Sequence, residues 1–301
     1  MQKPRTFIYG ILLGLLGIVL FSSKAVMVKL AYQYNVDAIN VLLLRMIFAF
    51  PFYLAIVLFY RKKQTHSVIT KRNYVWIIFF GFVGYYLASY FDFVGLTYIK
   101  ASLERIILFL YPTIVLLLNR IFLKKQISNI QKGAIVLTYF GIIIAFWDEV
   151  VISGTNAYLG GFFILLSAIT YASYLVGSGW LIPKFGVVKF TSYAMLVSCF
   201  CVFIHFILTP NTSVLGYPWQ VYILGFLIAI FATVIPSYLV SQSIKMISSS
   251  NFAILAGVGP ISTIILAAIF LNEKLTLLQL FGAFVVIVGI LMVSLKKQNT
   301  I

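Results

Sequence analysis

Apolar side chains run along this chain in long, nearly unbroken stretches, and polar residues gather between them rather than alternating with them. Crossing the hydrocarbon of a bilayer takes about 20 apolar residues in a helix. Only structures that pair every backbone group internally survive there. The stretches predict ten membrane helices. Helices one to five lie near residues 7–30, 39–59, 74–98, 101–122 and 133–147; helices six to ten lie near 159–181, 190–208, 220–244, 250–271 and 278–295. The connections between them are short, so residues 1–301 read as a single all-α membrane domain.

Composition supports the same reading: 62% of the residues are hydrophobic and 9% charged, against roughly a quarter charged in soluble domains. The formal charge of +16 does not signal nucleic acid, because the basic residues form neither a single tail nor an aromatic-interleaved RNA motif. They follow alternate loops. Lys3 and Arg5, then Arg61, Lys62, Lys63, Lys71 and Arg72, then Lys124, Lys125 and Lys132 fall on one side. Lys184, Lys189, Lys245, Lys296 and Lys297 continue that side, whereas the loops at 31–38, 148–158 and 209–219 hold no Lys or Arg. The positive-inside rule then puts both termini in the cytoplasm. Helix one carries Lys24 and Lys29 and lacks a small-residue cleavage site, so it reads as a retained span.

The chain also repeats itself after 148 positions. Without a gap, Ser89, Tyr90, Ile99, Ser102, Ile106, Pro112, Ile121, Phe122, Leu123, Gln131 and Gly141 meet Ser237, Tyr238, Ile247, Ser250, Ile254, Pro260, Ile269, Phe270, Leu271, Gln279 and Gly289. Repeat one covers 7–147 and repeat two 159–295. Five helices per half is an odd number, so the second half enters the membrane upside down relative to the first. Inverted repeats build two like bundles that expose a shared site to alternate sides. A duplicated channel or scaffold is the structural alternative.

The runs ASLERIILFLYPTIVLLLNRIFLKKQIS and SSNFAILAGVGPISTIILAAIFLNEKLT, with FSSKAVMVKL and VDAINVLLLRMIFAFP before them, resemble the paired signatures of the drug/metabolite transporter (DMT) superfamily, EamA type, over essentially the whole chain. The resemblance implies a ten-helix, inverted five-plus-five transporter of the plasma membrane. It also implies a cavity lined by helices one, three, four, six, eight and nine. Members export amino acids, move other metabolites or carry sugar derivatives, so export of small polar metabolites such as amino acids or organic anions is expected. An organic-phosphate or nucleotide-sugar exchanger is the alternative. The family often has an acid closing helix four or nine: Glu273 keeps it, and Lys125 replaces it in the first half.

Candidate chemistry is concentrated in ionisable residues inside the helices: Lys24, Arg45, Asp92, Glu104 and Arg105. With the assigned topology all five share a layer in the outer half of the membrane. Charge at that depth is costly and should pair or face water. Three cations against two acids leave one positive charge, which favours an anionic or zwitterionic substrate carrying a carboxylate or phosphate. The repeat mates of Asp92, Glu104 and Arg105 are Val240, Phe252 and Ala253, so the first half carries the electrostatics. The charges either contact substrate or form a structural network or gate. Arg45, on a peripheral helix, is expected in a structural ion pair, and Asp92 and Glu104 are candidates for proton coupling.

Polar residues at helical spacing add Tyr85, Tyr111, Tyr171 and Tyr174 as expected cavity rings. Ser167, Ser178, Thr233, Ser237 and Ser241 fit either the cavity or close helix packing. Pro112, Pro236 and Pro260 are candidate hinges, with Gly257 and Gly259 beside the last. Cys199 and Cys201 lie on different faces of helix seven and read as packing residues. No phosphate-cradling glycine motif and no metal-ligand spacing occurs, with only His66 and His205 available, so no cofactor or metal is expected. A membrane-embedded transferase using Asp92, Glu104 and His205 is the enzymatic alternative.

Overall fold

A computed structural model describes residues 4–60, 70–123, 129–153, 156–210, 213–256 and 258–294. Lys3, Arg61, Lys62, Lys63, His66, Lys124, Lys125, Gly257, Lys296 and Lys297 lie outside the described residues.

Among the described residues, the fold is ten helices. In chain order they are α1 (Pro4–Tyr32), α2 (Ala38–Tyr60), α3 (Lys71–Tyr98), α4 (Ala101–Leu108 and Tyr111–Leu123) and α5 (Asn129–Ser153). The second half has α6 (Asn156–Phe185), α7 (Val187–Leu208), α8 (Trp219–Ile247), α9 (Ser249–Leu255 and Val258–Leu271) and α10 (Leu277–Ser294). Among the described residues, eight of these are long and apolar enough to cross a membrane, and α5 and α10 contain the shorter apolar stretches Ile135–Ala145 and Leu277–Gly289. Large apolar side chains on the outside, such as Phe59, Ile207 and Leu277, are 85%, 78% and 86% exposed. Such a surface suits acyl chains rather than water.

The halves pack reciprocally, as an inverted repeat requires. α1 lies against α8 and α9 while α6 lies against α3 and α4; α2 meets α7, and α5 meets α10. The last pair approaches through glycine: a Cβ on Gly141 would sit 2.8 Å from the Gly282 carbonyl oxygen, and one on Gly282 2.6 Å from that of Gly141. Without a hydrophobic force between helices in lipid, such close backbone packing and buried hydrogen bonds hold them together. The hydroxyls expected at helical spacing serve this end. Tyr53 and Ser237 are 2.8 Å apart, Thr191 donates to Ser241 at 2.7 Å, and Ser167 donates to the Ala88 carbonyl at 2.8 Å.

Backbone irregularities repeat with the sequence. A π-helical segment interrupts α3 at Phe82–Leu87 and another interrupts α8 at Ile230–Val234, their first residues 148 positions apart. α4 and α9 break at matching places, each just before a proline. Pro112 has no N–H for the Leu108 carbonyl, and Leu110 N–H turns back to Ile107 O at 3.0 Å instead. In α9, Gly259 N–H takes the Ala256 carbonyl at 2.8 Å that Pro260 cannot serve. Pro236 directly follows the second π segment, at the start of Ile235–Ile247.

Candidate substrate site between the halves

The buried charges meet between α1, α3 and α4. Lys24 Nζ of α1 lies 2.6 Å from Asp92 Oδ2 of α3, and Arg105 Nε lies 3.6 Å from Glu104 Oε2 on α4. Asp92 and Glu104 are close enough for each to feel the other's charge. Apart from these contacts, none of their four carboxyl oxygens accepts a hydrogen bond from the described residues. Arg105 also donates from Nη2 to the Phe21 carbonyl at 3.3 Å, while its Nε has no hydrogen-bond partner among the described residues.

Arg45 behaves differently from the expectation of an ion pair. Its guanidinium, 1% exposed, turns inward from α2 and donates to hydroxyls of both halves: Nε to Thr233 Oγ1 at 2.7 Å and Nη1 to Ser89 Oγ at 2.9 Å. The guanidinium carbon stands 5.6 Å from the Phe93 ring centroid. The physical reason lies in partner placement. Lys24 already occupies Asp92, and Thr233 of the α8 π segment and Ser89, just past the one in α3, offer hydroxyls where Arg45 arrives.

A cavity of about 60 Å³ opens among these groups, lined by Lys24, Arg45 and Arg105 together with Ser22, Ser89, Ser167 and the rings of Tyr85, Tyr111 and Tyr171. It has room for a few waters or a small ion. The acids Asp92 and Glu104 do not line it. Side chains of three cationic residues thus border the space and neither acid does. The wall comes from α1, α2, α3, α4, α6 and α9, so α2 takes the place that family resemblance gave to α8. The long Arg45 side chain makes the difference.

Further along the same helices lies a second cavity of about 750 Å³, lined by Trp76, Phe79, Phe80, Leu118, Phe122, Val176, Trp180, Ile244 and Ser249 among others. It is at the end of the bundle where α1, α3 and α9 begin and α4, α6 and α8 finish. Tyrosine rings stand between the two spaces. Tyr85 packs on Tyr174 at 4.6 Å between centroids, Tyr111 on Tyr171 at 5.2 Å, and Tyr171 stacks on Tyr174 at 6.2 Å. Tyr174, expected to line the cavity, sits fully buried in this layer behind the three lining rings.

The opposite end of the bundle is held by Glu273. Its carboxylate, in the connection after α9, accepts from Ala101 N–H at 2.9 Å, Ser102 N–H at 3.0 Å and Ser102 Oγ at 2.5 Å. It therefore caps the start of α4 from the other half of the chain, satisfying donors a helix N-terminus leaves open. Lys29 reaches the Leu96 carbonyl near the end of α3 at 3.0 Å. His205 engages Tyr86 through Nδ1 at 3.0 Å and packs on Tyr90, and it lines neither cavity. The enzymatic grouping of Asp92, Glu104 and His205 is not assembled.

Among the described residues, ten helices in an inverted repeat around a charged chamber define a multi-pass membrane transporter. The EamA-like transporter family model matches the chain twice, over residues 8–147 and 158–295, and the protein belongs to that family. It is 33% identical over 302 residues to the uncharacterized transporter YcbK of Bacillus subtilis (strain 168), covering 96% of this chain and 94% of that protein. It is 26% identical over 226 residues to the uncharacterized transporter YcxC of the same organism, covering 71% and 72%. Among solved structures, one crystal structure of another protein superposes with a TM-score of 0.68 over 97% of this chain and 99% of that one at 14% identity, a likeness of fold alone.

Proposed function

We propose that the protein is a secondary carrier for small metabolites bearing a carboxylate or phosphate, moved across the plasma membrane by alternating access. The observation that carries this reading is the sidedness of the charge: Lys24, Arg45 and Arg105 line the chamber, and Asp92 and Glu104 do not. A buried cation without a carboxylate, such as Arg45, costs several kcal/mol unless something compensates it. A substrate anion is the compensation the chamber invites, and guanidinium groups suit carboxylate and phosphate oxygens alike.

With both termini in the cytoplasm, the large aromatic cavity is a cytoplasmic vestibule, and the Glu273 clamp closes the outer face. The tyrosine layer then separates substrate from cytoplasm. Repeats 7–147 and 159–295 are the moving bodies, and the breaks before Pro112 and Pro260, with the π segment before Pro236, are where they flex. Two guanidiniums beside one chamber also support organic-phosphate exchange as a second reading.

Solute counterflow in proteoliposomes, with amino acids, organic acids, sugar phosphates and cationic drugs, tests the assignment. Exchange of anions or zwitterions without chemical change is expected. Strict need for a counter-substrate would select the exchanger, and preference for cations, or covalent conversion of the solute, would overturn the carrier of anions.

A further inference from the structure

We propose that the large aromatic cavity opens sideways into the bilayer and holds an acyl chain of an anionic phospholipid, whose headgroup sits at a basic rim around Lys184. The inference is independent of the anion chamber.

The walls of the cavity indicate where it leads. Phe79 of α3, Phe122 of α4 and Trp180 of α6 line it and are 45%, 72% and 42% exposed, so the space is continuous with the outer surface. Large apolar rings on such an opening suit acyl chains rather than water. Among the described residues, α3 and the Tyr111–Leu123 part of α4 both pack on α6 rather than on each other. The gap between these two therefore leads from α6 out to the bilayer. Its volume of about 750 Å³ falls within the roughly 300–1,000 Å³ of ligand cavities. A lipid chain gives up no apolar surroundings by entering, whereas water there would face aromatic rings. The cavity thus favours a chain, and the headgroup decides which lipid supplies it.

Charge at the rim makes that choice. Lys184, near the end of α6, holds Nζ over the Trp180 ring at 4.3 Å and donates to Asn73 Oδ1 of α3 at 3.4 Å. It stands where the apolar wall ends, its stem along the wall and its ammonium at headgroup level. Lys71 and Arg72 start α3 at the same end, both exposed, and Lys245 near the end of α8 is exposed too. The six acidic residues of the sequence, Asp37, Asp92, Glu104, Asp148, Glu149 and Glu273, all belong to the opposite half of the bundle. A choline headgroup would bring a further cation to this rim, while an anionic headgroup brings the missing negative charge. With both termini in the cytoplasm, this end borders the inner leaflet, where anionic lipids concentrate and where basic pockets between helices hold their headgroups. Substrate passing through the vestibule then meets a side wall made in part of lipid.

Quenching of tryptophan fluorescence by lipids with brominated chains, in nanodiscs, provides the test. The double variant Trp147→Phe, Trp219→Phe leaves Trp76 and Trp180, both in the cavity wall, as reporters. Brominated phosphatidylglycerol titrated into phosphatidylcholine should reach half of its full quenching at a mole fraction about tenfold lower than brominated phosphatidylcholine titrated into phosphatidylglycerol. Adding Lys184→Gln should shrink that ratio several-fold, and adding Val176→Phe, which fills the cavity, should abolish it. Quenching that follows bulk composition for both lipids overturns the site. Excess quenching without preference for phosphatidylglycerol overturns the anionic occupant, and a preference untouched by Lys184→Gln overturns the rim. The double variant decides even if Val176→Phe does not fold, and none of these outcomes bears on the anion chamber.

Discussion

The two halves of this transporter share a backbone and divide the chemistry. α3 and α8 both pass into π-helix at positions 148 residues apart, and α4 and α9 both break before Pro112 and Pro260. Yet Asp92, Glu104 and Arg105 of the first half face Val240, Phe252 and Ala253 of the second, all buried and apolar. Duplication preserved what shapes the helices and left the acids and cations around the chamber in the first half. The second half contributes hydroxyls and a clamp: Thr233 to Arg45, and Glu273 to the start of α4.

The most disruptive way to break this comparison is to make the first half resemble the second. Asp92→Val leaves Lys24 buried and unpaired, and should cost about 3–5 kcal/mol, seen as lost monodisperse protein or a sharp fall in Tm. Adding Lys24→Met should recover the fold while transport stays absent, because the charge is then gone rather than orphaned. Next in size is a backbone contrast. A Cβ on Gly84 would lie 2.1 Å from Tyr174 Cβ, so Gly84→Ala should cost about 1–3 kcal/mol. The mirror exchange in the second half, Ala232→Gly, should cost about 1 kcal/mol or less. Equal shifts in Tm for the two would show that the π segments are not held differently.

Arg45→Gln sharpens the division of labour. Removing a buried charge that no carboxylate balances should leave Tm unchanged or raised, while anion counterflow falls about tenfold. Arg45→Lys, which keeps the charge and loses the planar fork, should retain an intermediate rate. The smallest effect is expected at the clamp. Glu273→Gln keeps the shape and removes the charge, weakening three hydrogen bonds for about 1 kcal/mol, read as a modest fall in Tm.

The helices were legible in the sequence because hydrocarbon leaves little choice about length and secondary structure. The reciprocity of the halves was legible too, because Pro112 and Pro260 carry their backbone effect with them. The π segment in α3 was not. Its repeat mate precedes Pro236, but position 88 is Ala, and what α3 bends around is the close approach of Gly84 to Tyr174 on α6, a contact no local pattern contains.

The candidate site was legible as a layer and not as a wall. Residue depth along each helix brings Lys24, Arg45, Asp92, Glu104 and Arg105 to one level, but which of them face the cavity depends on helix rotation and side-chain reach. Arg45 illustrates the gap: its place on a peripheral helix suggested a structural pair, whereas a long side chain carries its charge to the centre. Tyr174 is the converse, a ring on the expected face that the tyrosine layer withdraws from the chamber. Glu273 stood out only as a residue lacking its acidic mate, and its hydrogen bonds to residues 172 and 171 positions earlier needed three dimensions.

Anomalous diffraction from crystals of the purified transporter soaked in sodium bromide tests the central claim most directly. An anomalous peak enclosed by Lys24, Arg45 and Arg105, weakened in Arg45→Gln crystals, is the result expected. Bromide confined to surface lysines, with those three side chains turned away from a common space, would contradict an anion chamber built by the first half.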